Sequence, residues 1–431
     1  MINSPIRRLK GGLAVPFLSL LLALGFANGC QQSLYDPPKS PQESLASFDI
    51  IPEFQVELFA SEPHVQDPVD MTIDEQGRIY AVEMPDYPFK PKPGEGKCRI
   101  KQLIDRDGDG VIDSSIVFID RISEATSILR WRAGLLIAAA PNILFAADTD
   151  GDGQADSTEI IFSGFFENNS EAQITNLKFG IDNWIYASNH GQAGEIHFTR
   201  DPEKKPLQIR GGDFRFRLDK GQFEVVTGPA QFGQAFNNRG HRFVTQNTLH
   251  LQHVVVPWRY VHRHPYLPPN SYTANISDHE LEMFQQTPPP YWRAERTRRR
   301  QKRYKEQGLD RVEYAEDHFT GCSGGTFYAG HTFSAEFYGS IFTGDVAGNL
   351  IHCDILEILS GSPTYVGKRA PIDTDREFLM STDSWFRPTH FYVGPDGSLY
   401  VVDFYRQHIE TPLSIPEDLK ADMDFMQGSD L

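Results

Sequence analysis

Two acidic runs hold the most specific chemistry in the sequence. Asp148, Asp150, Asp152, Asp156 and Glu159 fall at positions 1, 3, 5, 9 and 12 of a calcium-loop spacing, with Gly153 at position 6. Ca²⁺ takes six to eight hard oxygens, and a glycine at that point permits the sharp turn that gathers them. Asp105, Asp107, Asp109 and Asp113 repeat the first four ligand positions around Gly110, but Ile116 stands where the last carboxylate belongs. The second loop is expected to bind more weakly, or to complete its shell with water or another loop. Apolar segments flank both runs, so they are expected to be β-hairpin calcium loops with a structural role. Unoccupied Asp-Gly turns are the alternative.

The elements that must position such loops are legible as a recurring phrase. An alternating strand, a Gly/Asp/Asn turn and a second apolar strand recur at 71–83, 177–189 and 391–403, with weaker versions at 128–140, 242–254 and 326–352. Period-two alternation around Asp-Gly or Asp-Asn is the signature of a β-hairpin. Six copies predict an all-β fold, a six-bladed β-propeller, with the segment 54–63 adding a strand to the last blade. In a propeller the innermost strands line a central channel. The lead-ins to the six copies are DPVDM (67–71), EATSI (124–128), QITNL (173–177), NNRGH (237–241), GCSGG (321–325) and FRPTH (386–390). They nominate Asn176, Arg239, His241, Arg387 and His390 as channel residues, either ligand-binding or ordinary polar lining.

Other constellations are weaker. Residues 290–305 concentrate basic side chains beside Trp292 and Tyr304. They are expected to form a solvated helix inserted between blades and ended by Gly308, with an anion-docking arm as the alternative. His250, His253, His262 and His264 cluster in sequence, but no carboxylate or cysteine completes a shell around them. On strands His250 and His253 face opposite sides. They are therefore assigned satisfied surface or core roles. No GxSxG, HExxH, P-loop or dinucleotide-binding motif stands in the surroundings its chemistry needs.

Composition sets the outer limits. With 41 Lys+Arg against 58 Asp+Glu, the net charge of -17 argues against nucleic acid as a partner. Arg7, Arg8 and Lys10 precede the apolar run 13–27 and Cys30. That order reads as a lipoprotein-type signal peptide over 1–29, with an uncleaved N-terminal anchor as the alternative. A Gln/Ser/Pro-rich tether over 30–50 and a propeller over 51–431, carrying the basic insertion 290–308, would follow. The protein is then expected to be exported to the periplasm or outer membrane surface, held at the membrane only by lipid on Cys30. Of Cys98, Cys322 and Cys353, at most one pair can bridge; Cys322 with Cys353 is nearest in sequence. No CxxCH is present, so no covalent haem is carried.

The segments 69–87, 148–156, 176–189, 337–352 and 381–410 together resemble the propeller domain of the membrane-bound dehydrogenases of Planctomycetes and Verrucomicrobia. That family is itself similar to soluble quinoprotein glucose dehydrogenase and L-sorbosone dehydrogenases. The resemblance spans roughly residues 52–428. It implies calcium, pyrroloquinoline quinone in the channel, a sugar or polyol as hydride donor, and a separate cytochrome c as electron acceptor. Arg239, Arg387 and Arg406 would then neutralise the quinone's carboxylates, since guanidinium forks match carboxylate geometry. Where the family places a general-base histidine this chain has Ala172, and neither Ala172 nor Gln173 can take a hydroxyl proton. His190 and His241 are the substitute candidates. The other reading is a non-catalytic, calcium-stabilised propeller that binds a glycan or a partner protein.

Overall fold

Alternating apolar residues fold around turns whose backbones need the left-handed region. Gly77 (φ 80°), Asn183 (φ 62°) and Gly397 (φ 86°) supply it in the three clearest copies of the repeated phrase. In the first, Asp74 Oδ1 also accepts from the amides of Gln76 and Arg78, both at 2.9 Å. The computed structural model describes residues 34–264, 266, 272–370, 375–421 and 423–428. The leader 1–29 and Cys30 lie outside them. Residues 37–431 form one compact unit.

The first blade is built from Pro68–Ile73, Ile79–Glu83, Cys98–Ile104 and Ser114–Ile122. The second begins with Ala125–Trp131, Gly134–Ala139, Asn142–Ala147 and Ser157–Ser163, and Gly194–Phe198 and Leu207–Ile209 widen it. The third uses Thr175–Phe179, Ile185–Ser188, Asp213–Arg217 and Gln222–Val226. The fourth uses Gly233–Phe236, Arg242–Gln246, Leu249–Val254 and Thr273–Asn275. Cys322–Phe327, Ile341–Asp345 and Leu350–Ile358 start the fifth, which Tyr365–Arg369, Leu379–Ser381 and Phe48–Ile50 complete. Pro388–Val393 and Leu399–Asp403 make a lone hairpin.

The expectation of six blades is therefore corrected to five, with a two-stranded hairpin in the sixth sector. The hairpin finds no further strands. Downstream, the described residues run in turns and short 3₁₀ helices (Pro412–Ser414, Glu417–Leu419). Upstream, Phe48–Ile50 pairs with Leu379–Ser381 of the fifth blade. The segment 54–63 adds no strand. It lies across the seam instead, with Phe54 packed edge-on against Phe333 and Phe378 and Phe59 against Tyr400. The segment assigned to a tether contains the capped helix Pro41–Leu45 and the strand Phe48–Ile50.

Side-chain bonds, and between the fourth and fifth blades a backbone bond, close the ring laterally at the innermost strands. Asp70 Oδ2 accepts from Ile128 N (2.9 Å), and Ser127 Oγ accepts from Leu177 N (2.9 Å). Gln234 donates to the Asn176 carbonyl, and Gly324 N donates to Phe232 O (2.9 Å). Ser323 Oγ reaches Pro388 O (2.5 Å) and Thr389 Oγ1 reaches Pro68 O (3.4 Å), joining the hairpin to both neighbours. Between blades the core is aromatic: Phe162 meets Phe198, Phe214, Phe216 and Phe223 between the second and third. Burying each such ring stabilises the packing by roughly 1.5–3 kcal/mol. Cys98, Cys322 and Cys353 are buried thiols with no disulfide among them, so the bridge that the sequence left open, Cys322 with Cys353, is not formed. The two lie on strands separated by the intervening Ile341–Asp345, with Cys322 opposite Asp345 and Cys353 opposite Phe342.

The helix Tyr291–Glu306 is present as expected, but it is not merely solvated. Trp292 is fully buried, and Arg293, Thr297 and Tyr304 are buried on the same side. Arg298 and Arg299 on the outer side pair with Glu295 at 2.6 and 2.8 Å. Among the described residues no helix is long and apolar enough to cross a membrane.

Candidate functional site

The lead-ins of the ring converge on one cavity of about 590 Å³. Asp70, Thr126, Asn176, Cys322 and His390 line it from five of the six nominated lead-ins. The fourth blade contributes Gln231 and Phe232 instead of the residues nominated there. Five of the six innermost strands carry a register shift close to the cavity, between Pro68/Asp70, Ala125/Ser127, Thr175/Lys178, Ser323/Thr326 and Pro388/His390. Such bulges re-aim side chains. Asn176, at φ 52°, is a product of one.

The helix Tyr291–Glu306 and the stretch behind it roof the cavity with Arg293, Arg296, Arg300 and Arg311. Arg293 bonds Thr320 Oγ1 (2.5 Å) and Glu410 Oε1 (3.0 Å), and Arg300 bonds Glu313 Oε1 (2.7 Å). Four carboxylates, Asp70, Glu171, Glu313 and Glu410, line the same cavity, so its formal charges balance while the guanidinium groups gather on the roof side. Burial lowers the pKa of Arg296, and the charges of Arg300 and Arg293 lower it further. Burial pushes the Glu171 carboxyl up, whereas Arg293 and Arg387 outweigh burial at Glu410 and hold it low. Several lining atoms are buried without a hydrogen-bond partner: Gln173 Oε1, Asn176 Oδ1, Trp292 Nε1, Arg293 Nε and Arg296 Nε.

His390 is the one nominated histidine that reaches the cavity. Its Nε2 lies 3.2 Å from Asp70 Oδ1, and amides fix both Asp70 oxygens (Met71 N 2.8 Å, Ile128 N 2.9 Å). Burial drives His390 down to about 4, with Asp70 opposing and Lys178 assisting. The ring is neutral near pH 7. Lys178 is itself lowered to about 8 by burial and donates to Thr326 Oγ1 at 3.3 Å.

The other nominated residues serve the fold. Arg387 and Arg406 are buried but turned to the backbone. Arg387 donates to Val346 O (2.6 Å), Arg406 O (3.0 Å) and Gln407 O (2.5 Å). Arg406, fully buried, pairs with Asp67 Oδ1 (2.6 Å) and caps the carbonyls of Pro85 and Tyr87. Arg239 is exposed in the turn between Gly233–Phe236 and Arg242–Gln246. His241, after that turn, faces His253 Nε2 (3.2 Å) and Tyr365, away from the cavity lining. His190 sits in the turn after Ile185–Ser188 with its amide on Ala230 O (2.9 Å) and does not line the cavity. The fourth blade was mis-phased because its second hairpin resembles the repeated phrase better than its first. Ala172 is buried and offers no proton acceptor.

The acidic loops form as expected, side by side on the outer edges of the first and second blades, with Ala155 N bonded to Phe118 O at 2.7 Å. Asp105, Asp107 and Asp109, and likewise Asp148, Asp150 and Asp152, bring oxygens within 4.8 Å of one another. Asp105 holds the amides of Gly108 (2.7 Å) and Gly110 (2.9 Å); Asp148 holds those of Gly151 (2.6 Å) and Gly153 (2.9 Å). Those amides lower both carboxyls. Asp113 lies outside the first group. Asp156 is turned to Thr149 (3.1 and 2.7 Å), and Glu159 forks onto Arg200 (2.8 and 2.6 Å). Glu159, opposite Phe145 on its strand, is thus paired with Arg200 rather than gathered with the three aspartates.

Sequence reasoning missed one group. His250, His279, His352 and Asp354 place ligand atoms within 4.8 Å of one another between the fourth and fifth blades. The alternation of His352 and Asp354 on one strand face was the available signal. His250 does face away from His253, as expected, but into this group. Of the remaining two nominated histidines, His262 stacks on Trp258 at 3.5 Å and His264 is exposed.

The fold and site define a β-propeller with a roofed, arginine-rich axial cavity. The chain belongs to the family described as "Domain of unknown function (DUF7133)", which matches residues 40–431. No curated protein matches it in sequence. Among solved structures it is similar to the PQQ domain of pyranose dehydrogenase from Coprinopsis cinerea, at 12% identity over 87% of this chain and 97% of that one, TM-score 0.41. It is similar to the PQQ-bound aldose sugar dehydrogenase from Streptomyces coelicolor, at 11% over 83% and 92%, TM-score 0.40. It is also similar to virginiamycin B lyase from Staphylococcus aureus, at 11% over 79% and 79%, TM-score 0.36. These names span oxidation and lyase chemistry, so the function is read from this chain's own residues.

Proposed function

We propose that the axial cavity is the site of a quinoprotein-type oxidoreductase acting on a sugar or polyol. One observation carries the reading: four guanidinium groups roof one axial cavity, and among its lining atoms Arg293 Nε and Arg296 Nε are buried without a hydrogen-bond partner. A ligand bearing several carboxylates fits that cluster of arginines, because guanidinium forks pair with carboxylates in two-point geometry. Pyrroloquinoline quinone is such a molecule, and Arg293, Arg296, Arg300 and Arg311 would hold it in place of Arg239, Arg387 and Arg406. Bound there, it would supply a two-electron acceptor for hydride from an alcohol carbon.

The chain's own part is proton handling and orientation. His390, kept neutral by burial and aligned by Asp70 through Nε2, has Nδ1 left to take the hydroxyl proton. Gln231 and Asn247 are lining amides that suit sugar hydroxyls. Calcium on the two aspartate loops would brace the first two blades. Export, the lipid on Cys30 and electron transfer to a separate cytochrome c complete the reading.

The roof helix and Ala172 favour a second reading, in which the propeller binds a glycan or partner without turnover. Reconstitution with the quinone and calcium, followed by a sugar panel with an artificial electron acceptor, separates the two. Quinone-dependent turnover supports the enzyme. No spectral change and no turnover removes it, and sugar binding alone supports the second reading.

A further inference from the structure

We propose that His250, His279, His352 and Asp354 form a binding site for a divalent first-row transition ion, zinc by preference, that staples the fourth blade to the fifth. The site is separate from the aspartate loops and from the axial cavity, and does not depend on the function proposed for that cavity.

Three stretches of chain supply it. His250 comes from Leu249–Val254 and His352 and Asp354 from Leu350–Ile358, where two-residue spacing puts them on one face. His279 comes from the loop after Thr273–Asn275, anchored by Asp278 N on Gly367 O at 3.0 Å. Gly367 also keeps the Asp354 carboxylate accessible: a Cβ there would stand 3.0 Å from Asp354 Oδ1 and 2.5 Å from Leu251 Cδ2.

At Asp354 Oδ2 the geometry fits coordination better than hydrogen bonding, while His279 is hydrogen-bonded to the other oxygen. His250 Nε2 and His352 Nε2 lie 3.4 and 3.3 Å from Asp354 Oδ2, and His279 Nε2 lies 3.2 Å from Oδ1. A tetrahedral ion that holds nitrogen and oxygen at about 2.0–2.1 Å separates its donors by about 3.3 Å. His250 Nε2, His352 Nε2 and Asp354 Oδ2 are buried with no hydrogen-bond partner. Three imidazole nitrogens and one carboxylate oxygen are a common zinc donor set, and four protein ligands with no open position mark a structural site.

The surroundings are those of a built site. His352 Nδ1 faces Glu377 Oε2 at 2.6 Å, and Glu377 Oε1 is held by Arg369 (2.9 Å) and Phe284 N (2.9 Å). Carboxylates behind metal-ligating histidines orient the ring in this way. Phe319, fully buried, stacks on His250 at 4.4 Å and seals the group from the axial cavity, which its other side lines. The bland alternative is a proton in place of the ion, with an imidazolium at His352 between Asp354 and Glu377.

The test is elemental analysis of the full chain, purified without a polyhistidine tag. About one equivalent of zinc or another first-row metal per chain is expected, counted separately from calcium. Asp354→Asn and His279→Ala should each lower it at least tenfold, and His253→Ala, outside the group, should leave it unchanged. Because the variants can misfold, protein produced in cobalt-supplemented medium gives a second reading: intense visible d–d bands of a tetrahedral site. Wild-type protein without stoichiometric metal and without those bands overturns the proposal, as does a folded Asp354→Asn variant that keeps its metal.

Discussion

His390 sets its Nε2 3.2 Å from Asp70 Oδ1 across the seam where the last hairpin meets the first blade. The pair exists only because the ring closes, since 320 residues separate its members in sequence. If His390 is the proton acceptor, His390→Gln should lower kcat about 10²–10⁴-fold with little change in quinone affinity. Steady-state kinetics of the quinone-loaded protein, with quinone titration alongside, check this. Loss of affinity with kcat intact would assign His390 to binding.

Burial, and after it the charges of Arg300 and Arg293, lowers the Arg296 pKa against the opposing pull of Glu313 and Glu410, and a bound anion would add to that pull. Arg296→Gln should therefore weaken quinone binding about tenfold, the equivalent of roughly 1.4 kcal/mol. It should lower the thermal stability of the ligand-free protein only slightly, through loss of the Arg296 bond to Ser414 O (3.2 Å). Calorimetric titration and a melting curve measure both.

Arg406 belongs to the fold. Its guanidinium and Asp67 are both fully shielded from solvent, so Arg406→Ala leaves an unpaired buried carboxylate. A loss of about 3–5 kcal/mol is expected in urea unfolding. Arg239→Ala, in an exposed turn, should change stability by less than about 0.5 kcal/mol and leave quinone binding intact.

Calcium should raise Tm and a chelator should lower it. At a hundredfold excess over Kd an ion that binds only the folded state adds about 2.7 kcal/mol. Asp148→Asn and Asp105→Asn should each remove part of the response, and Glu159→Gln none. An unchanged melting curve with calcium and with chelator would leave both loops as plain turns.

Asp403 gives stability a definite pH signature. Burial, with the charges of Asp383 and Glu62, raises its folded-state pKa to about 7 from an ordinary 3.8, against the lowering by the amides it accepts. Between those values the folded chain holds a proton the unfolded chain has lost. Its contribution is complete below 3.8 and is lost as pH rises through 7. Asp403→Asn can keep both amide bonds, since Arg387 N (2.7 Å) and Tyr405 N (3.0 Å) share one oxygen. The variant should gain on the wild type as pH rises from 4 to 8, by on the order of 1 kcal/mol per pH unit between the two pKa values. Unfolding midpoints at the two pH values decide it.

Local pattern carried the sequence reading where neighbours in the chain are neighbours in space. The hairpins at 71–83, 177–189 and 391–403, the aspartate loops and the helix near 292–307 all follow from spacing over a few residues. The same reasoning failed in the fourth blade. There two successive hairpins look alike, and taking the wrong one sent Arg239 and His241 to the channel in place of Gln231 and Phe232.

Residue type and period thus determined the all-β propeller, the hairpin edges that carry the carboxylates, and five of the six cavity-lining lead-ins. Only the tertiary structure decided the rest. It left the sixth sector with two strands, because Phe48–Ile50 pairs with the fifth blade. It spent Arg387 and Arg406 on buried carbonyls and on Asp67, and swung the helix Tyr291–Glu306 over the channel as an arginine roof. It also drew His250, His279, His352 and Asp354 from separate stretches into one buried group. The physical reason is common to all four. Strand period fixes which face a side chain takes, but which other face it meets is set by ring closure and blade packing, which no local window contains.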